Sequence, residues 1–386
     1  MQTNEIRKPC ESRTCGLFRI NKDFSQKDDW IKGRKNGILE SASGEVIRMT
    51  RYILYNDDAS VAAFSVRHSV IAEFIPQKTE LLPMQIRHAS AEGFSAWLRE
   101  RAVDLNSVQH RNLMNELYGT RDKTALALRS HMFSISDTFT CFEEGEFTPR
   151  LRLCQPEDQN AVSDYILVSS DTSLRDLRTA TPNASTDGSF TKTWKYEKGD
   201  WWLYKLQSTA ATEAEVEISR VLRNIGWDAA EYDYVGRSRK RVRSCNFLNP
   251  HEFFEPYDSF RFRFDDPSDD DAAIYQNLAS LGSDFEQAWK RILLADALFA
   301  NTDRHMRNFG VIRSSTTGET LRLAPNFDNN QAYLANPGGA YSAAMLNLYM
   351  KQADNWGIAN LKELNEELKA HPYLKQAYEA SKKYLE

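Results

Sequence analysis

The chain has 386 residues and a formal net charge of −5, with 41% hydrophobic and 11% aromatic residues. This is the make-up of a globular protein with a real core, long enough for two domains. The acidic balance argues against direct nucleic-acid binding, which draws on a basic surface, and the absence of a long apolar run argues against a membrane span.

The polar stretch Met1 to Asp29 does not read as a secretory signal. Cys10, Cys15, Cys141, Cys154 and Cys245 are scattered, with no CxxC pair, so neither a zinc site nor a disulfide framework is expected and a cytoplasmic location is. Residues 1 to about 35 read as a loosely ordered lead-in. Residues 46–75 alternate toward strand. Helical spacing follows in Phe94, Trp97, Leu98 and Val103, then in Leu113 and Leu117, then in Ala125, Leu126, Leu128 and Met132. No catalytic cluster shows here, so a scaffold or recognition role is the expectation. Tyr165-Ile166-Leu167-Val168 reads as a short strand. After it apolar positions thin to Leu174 and Leu177, before a loop at 179–185. A boundary is therefore placed at 165/166, with a mixed α/β domain before it. After it come two parts of an α+β unit, about 166–258 and 259–386.

The segment 191–206 reads as a hairpin: Thr191 to Tyr196, a turn at Lys198-Gly199-Asp200, then Trp201 to Leu206. Lys205 shares a face with Trp201 and Leu203 and is costly there unless its ammonium has a partner. Alone, it could equally be an edge lysine reaching water. A helix is expected from about Thr212 to Asn224, ended by Gly226. Its apolar face holds Ala214, Ile218, Val221 and Leu222, and Glu215 falls inside that face while Glu213 points away. A strand lysine followed ten residues later by such a glutamate matches the ion pair that aligns ATP in kinases. Ser185-Thr186-Asp187-Gly188-Ser189-Phe190-Thr191-Lys192 could lay backbone N–H groups over phosphates, although an ordinary turn explains one glycine equally well. The basic run at 237–243 reads as a solvated turn and edge strand. The acidic run at 265–271 reads as a solvated loop.

Ser283 is expected to cap a helix through about Phe299, which delivers the loop Asn301-Thr302-Asp303-Arg304-His305-Met306-Arg307-Asn308. A hairpin over 309–324 then brings Asp328 back beside Asn308. One aspartate to accept a hydroxyl proton, with an asparagine and a second aspartate to hold Mg²⁺, is the layout of a phosphoryl-transfer site. Asp303 takes the first role; Asn308 and Asp328 take the second. His305 could stiffen the loop, and Asp296 could anchor it or face solvent.

This loop resembles the catalytic loop of the HipA-like kinases, Asn-x-Asp-x-His-x-x-Asn, and Ser185 to Lys192 is similar to their phosphate loop. The resemblance covers roughly residues 180–345. It implies a two-lobed protein-kinase-like fold acting on ATP with Mg²⁺ and phosphorylating Ser or Thr of a protein substrate. It assigns Lys205, Glu215, Gly188, Ser189 and Lys192 to ATP and Asn308 and Asp328 to the metal. Asp303 becomes the base, with Asn301 and His305 supporting its loop. It further implies autophosphorylation at Ser185, with Ser189 and Thr186 as alternatives, and an antitoxin or other protein partner at the N-terminal domain. Residues 1–150 are not recognised as the toxin's N-terminal part, so a shorter, stand-alone relative is the expectation. Adenine contacts are expected near Asn246 to Tyr257. A small-molecule or lipid kinase of related fold, or a pseudokinase binding module, are the competing readings.

Overall fold

The computed structural model describes residues 38–40, 46–103, 105, 108–154, 156, 158–168, 180–185, 190–332, 343–353, 355–358, 360–371, 374–375, 377–379 and 382. The lead-in before residue 38, Leu174, Leu177, Thr186, Gly188 and Ser189 lie outside them.

Strands β1 (Ile38–Glu40) and β2 (Val46–Arg48) form a small hairpin. β3 (Thr50–Asn56), β4 (Ala59–Arg67), β5 (Val70–Pro76) and β6 (Phe139–Glu143) form an antiparallel sheet in the order β5-β4-β3-β6. Helix α1 (Ala91–Glu100) lies on this sheet. The Ser90 hydroxyl accepts from the Gly93 N–H at its start, and Phe94, Trp97 and Leu98 are its buried face. Phe94 stacks on Phe74 with ring centroids 4.1 Å apart, so the helix is pinned to the edge strand by aromatic packing. Helices α2 (Val108–Tyr118) and α3 (Lys123–Arg129) follow, then the single turn α4 (Arg150–Leu153) and α5 (Asp158–Val168). Tyr165 to Val168 are thus the end of a helix, not a strand. Val162 and Ile166, four apart, pack on Leu113 and Met114 of α2, and that contact overrides the β-branched local preference. The expected boundary at 165/166 falls inside α5.

β7 (Thr191–Glu197), β8 (Asp200–Leu206), β9 (Tyr232–Tyr234) and β10 (Arg241–Cys245) form a second antiparallel sheet in the order β7-β8-β10-β9. The basic run therefore feeds an internal strand rather than an edge. Arg243 is paired there with Glu197 at 2.9 Å and Asp233 at 3.0 Å. Helix α6 (Thr209–Asn224) packs against this sheet; Ser208 caps it, so it starts three residues before the expected position.

The remaining elements are β11 (Glu252–Pro256), α7 (Tyr257–Phe260), α8 (Asp271–Ala279), α9 (Ser283–Phe299), β12 (Gly310–Ser314), β13 (Thr320–Leu323), α10 (Ala343–Ala353) and α11 (Leu361–Ala370). Asp270, inside the acidic run, caps α8 by accepting from the Ala272 and Ala273 N–H groups. Ser283 is not the cap of α9. Gly282, at φ 130, holds that position in a conformation side chains disfavour, and the helix begins at Ser283 itself. α9 lies between two cores: Trp289 and Ile292 join the β11–β13 side, while Leu294, Ala295 and Leu298 meet the α6 side.

The N-terminal sheet is bolted to the last lobe through a buried ion pair. Arg313, 0% exposed, donates to Glu255 at 2.6 Å and to the carbonyls of Leu82 and Glu80 at 3.0 and 2.8 Å. The other Glu255 oxygen accepts from the Met84 N–H at 2.6 Å. Every charge and carbonyl at this junction is thereby satisfied, the condition under which a buried pair is tolerated.

Candidate active site

A cleft of about 550 Å³ opens between the second sheet, the α9–β12 loop and the N-terminal unit. Lys192, Lys205, Asp303, Asn308 and Asp328 all line it.

Lys205 is the centre of its charge network. From β8 its Nζ donates to Glu215 Oε1 at 2.6 Å and to Asp328 Oδ1 at 2.7 Å. Glu215 is 0% exposed, and its second oxygen accepts from Gln207 Nε2 at 2.7 Å. The geometry follows from the short β8–α6 link, since Gln207 and the Ser208 cap fix where the second turn of α6, and so Glu215, falls. Burial alone would push the Lys205 ammonium down, but the Asp328 and Glu215 carboxylates outweigh it and raise it well above the usual lysine range. Burial likewise pushes Asp328 up, yet Lys205, helped by Lys192 and Arg304, holds it well below the usual carboxylate range. For Glu215 burial prevails and its carboxyl is raised, with Lys205 and Gln207 pulling against it. One ammonium thus serves two carboxylates.

Lys192 on β7 stands directly opposite Lys205 in the ladder. Like charges across neighbouring strands repel, so this pairing suits a site that receives an anion. Asp328 sits at φ 61, in the left-handed region that aspartate tolerates better than most residues. Its N–H donates to the Tyr232 hydroxyl at 3.2 Å, and Asn330 Nδ2 donates to its Oδ1 at 2.9 Å.

The loop after α9 is tied at every turn. α9 ends at Ala300, also left-handed at φ 49, and the Asn301 N–H returns to Asp296 O at 2.9 Å. Asn301 Nδ2 donates to Asp296 Oδ1 at 3.1 Å while its Oδ1 accepts the Asp303 N–H at 3.4 Å. His305 Nδ1 accepts from the Arg307 N–H at 3.2 Å, a stiffening contact within the loop. Asn308 Nδ2 donates to Asp303 O at 2.9 Å, which orients its Oδ1 away from that backbone. The Asn308 amide oxygen and the Asp328 carboxylate are hard oxygen donors of the kind Mg²⁺ takes. Among the described residues no three His, Cys, Asp or Glu side chains gather as a metal cage.

Sequence reasoning passed over Arg304. Its guanidinium grips Asp296 with two bonds of 2.9 and 2.8 Å, and donates to the carbonyls of Asn308 at 2.8 Å and Phe327 at 2.6 Å. It also donates to Asn329 Oδ1 at 3.0 Å. One side chain therefore sets the spacing between the Asn308 loop and the residue before Asp328. Asp296 does not face solvent; it holds this arginine. Asn326 Oδ1 accepts from the same guanidinium, at 3.4 Å.

Phe247, Phe254 and Phe327 pack ring against ring on the cleft wall, with centroids 5.6 to 6.2 Å apart, within or facing the stretch expected to meet adenine. The N-terminal unit supplies another wall through Trp97, Arg101 and Asp137, where sequence reasoning saw no site. Ser185 also lines the cleft, its hydroxyl donating to Phe133 O at 2.5 Å. Gly188 and Ser189 lie outside the described residues.

Residues 261–384, which hold Asp303, Asn308 and Asp328, match the family described as HipA-like C-terminal domain. Among solved structures, the chain is similar to HipA of Shewanella oneidensis MR-1, from its toxin–antitoxin complex with HipB and operator DNA. The TM-score is 0.53 at 12% identity, covering 86% of this chain and 95% of that one. A second likeness, to the proinflammatory kinase CtkA of Helicobacter pylori, has a TM-score of 0.40 at 13% identity, covering 52% of this chain and 90% of that one. No curated protein matches the sequence. The expected two-lobed HipA-like fold is the fold observed, and the likeness to HipA takes in most of the chain, well past residues 180–345. Among the described residues no helix is long and apolar enough to cross a membrane.

Proposed function

We propose that this HipA-like protein is an ATP- and Mg²⁺-dependent kinase that phosphorylates Ser or Thr hydroxyls of a protein, its own Ser185 included. One observation carries the reading. Lys205 bridges Glu215 and Asp328 at 2.6 and 2.7 Å while Asp303 and Asn308 line the same cleft. A structural ion pair needs one carboxylate; a lysine shared between a helix glutamate and a loop aspartate, beside a second lysine, is arranged to receive phosphate.

Lys205 would hold the nucleotide phosphates, with Glu215 and Gln207 fixing its ammonium and Lys192 adding charge from the neighbouring strand. Asn308 and Asp328 would hold Mg²⁺, which when bound neutralises charge on the β- and γ-phosphates. Asp303 accepts the proton as the substrate oxygen bonds to the γ-phosphorus and the bond to the β,γ-bridging oxygen breaks, releasing ADP. The N-terminal unit, walling one side of the cleft, is the natural place for a protein substrate or an antitoxin-type partner to be read. The likeness to a HipA crystallised with HipB favours the latter.

Incubation of the purified chain with γ-labelled ATP, Mg²⁺ and a cell lysate tests this. Labelled Ser or Thr in protein bands, including the chain itself, is the expected result. Label confined to lipid or small molecules would transfer the reading to those substrates, and no transfer at all would reduce the site to a pseudokinase.

A further inference from the structure

Two asparagines follow Asp328, and their amides are committed in different directions. Asn329 faces the loop after α9: its Nδ2 donates to Asn326 Oδ1 at 2.8 Å, and its Oδ1 accepts from Arg304 at 3.0 Å and from Asn301 at 3.3 Å. Asn330, buried at the cleft wall, faces Asp328 instead and donates from Nδ2 to Oδ1 at 2.9 Å. Lys205 Nζ donates to that same oxygen at 2.7 Å. Among the described residues no hydrogen bond reaches Asp328 Oδ2, and the side chain stays 24% exposed on the cleft. One oxygen is held twice and the other is left open.

The rest of Asp328 is fixed by other groups. Its N–H donates to the hydroxyl of Tyr232, a buried residue, at 3.2 Å, so the backbone is anchored. What stays free is rotation of the carboxylate about its last bond, a torsion with broad minima that hydrogen bonds must set. Lys205 is a poor device for that alone. Its ammonium already holds Glu215 at 2.6 Å, and on the kinase reading it also turns to the nucleotide phosphates. A cation on the carboxylate further offsets the negative charge that a metal needs. An amide donor orients the carboxylate without cancelling its charge. We propose that Asn330 is a positioning residue for the metal: by holding Asp328 Oδ1 it presents Oδ2 to the ion. The inference rests on the kinase reading above for the presence of that ion. Asn329 cannot take over, because both ends of its amide are committed to the loop side.

Mn²⁺, which is paramagnetic and takes the same oxygen ligands as Mg²⁺, is the probe. Electron paramagnetic resonance follows its titration into the chain with β,γ-imido-ATP, the chain in excess so that little of the analogue is free. The native chain should take up Mn²⁺ in a ternary complex. Asn330→Ala should weaken that uptake by about 10- to 100-fold, the usual cost of losing a contact behind a metal ligand, while the affinity for the analogue in EDTA is unchanged. A purely structural asparagine would instead lower the melting temperature and leave the Mn²⁺ constant where it was. Asn330→Leu fills a similar volume without a donor. It should show the same loss, and it takes the place of the alanine variant if that one does not fold. Native Mn²⁺ affinity in folded Asn330→Ala or Asn330→Leu overturns the positioning role and leaves the kinase reading standing, as does an equal loss of Mn²⁺ and of metal-free analogue binding. A native chain that takes up no Mn²⁺ with the analogue overturns both.

Discussion

Asp303→Ala should lower phosphotransfer by about 10²- to 10⁴-fold and leave the molecule folded with its nucleotide site intact. The side chain is partly exposed on the cleft and its loop is fixed by other groups. Asn301 and Arg304 tie the loop to Asp296, and Asn308 bonds to the backbone of Asp303 rather than to its carboxylate. Truncation therefore removes the proton acceptor without releasing the metal donors. Initial rates with labelled ATP, alongside a thermal melt of the variant, check both halves. A folded Asp303→Ala chain transferring phosphate at the native rate would remove Asp303 from the role of base.

Lys205→Met should abolish transfer and also destabilise the fold, unlike the Asp303 change. The substitution leaves Glu215, buried and accepting only from Gln207, without its ammonium, and leaves Asp328 without its close cation. Removing one partner of a buried pair costs about 3–5 kcal/mol at neutral pH. The pH dependence has a definite sign. Without Lys205 the buried Glu215 carboxyl is raised further above its unfolded value. The protonated form is then the tolerated one, so stability is retained at low pH and lost as pH rises through the folded pKa. The deficit against the native chain should narrow between pH 7 and about 5. Urea denaturation of both chains at the two pH values measures it, and a deficit independent of pH would show that the two carboxylates do not depend on this lysine.

The local order of the later lobe was legible because short-range rules govern it. The β7–β8 hairpin has its turn residues, α6 its glutamate within an apolar stripe, and the β12–β13 hairpin its Gly318. Lys205 and Glu215 were matched as an ion pair because the glutamate falls inside an apolar helix stripe ten residues after a strand lysine, and Lys205 Nζ lies 2.6 Å from Glu215 and 2.7 Å from Asp328. What the sequence hid was tertiary. Tyr165 to Val168 look like a strand until α2 is placed against Val162 and Ile166. Arg304 looks like an exposed loop residue until Asp296, in the last turn of its helix, is seen to face it. Arg101 and Asp137 are 36 residues apart and belong to the cleft only because α1 lies across the sheet edge. Long-range polar pairs of this sort leave no periodic trace.

Under the proposed function, Lys205, Asn308 and Asp328 together enclose a single magnesium-bound nucleotide. Thermal melting of the native chain with ATP, in Mg²⁺ and again in EDTA, tests it most directly. Saturating ligand at about 100 times its dissociation constant adds about 2.7 kcal/mol. The midpoint should therefore rise by several degrees with Mg²⁺ and ATP together and by far less with either alone. Superimposable melting curves under all of these conditions would contradict the account.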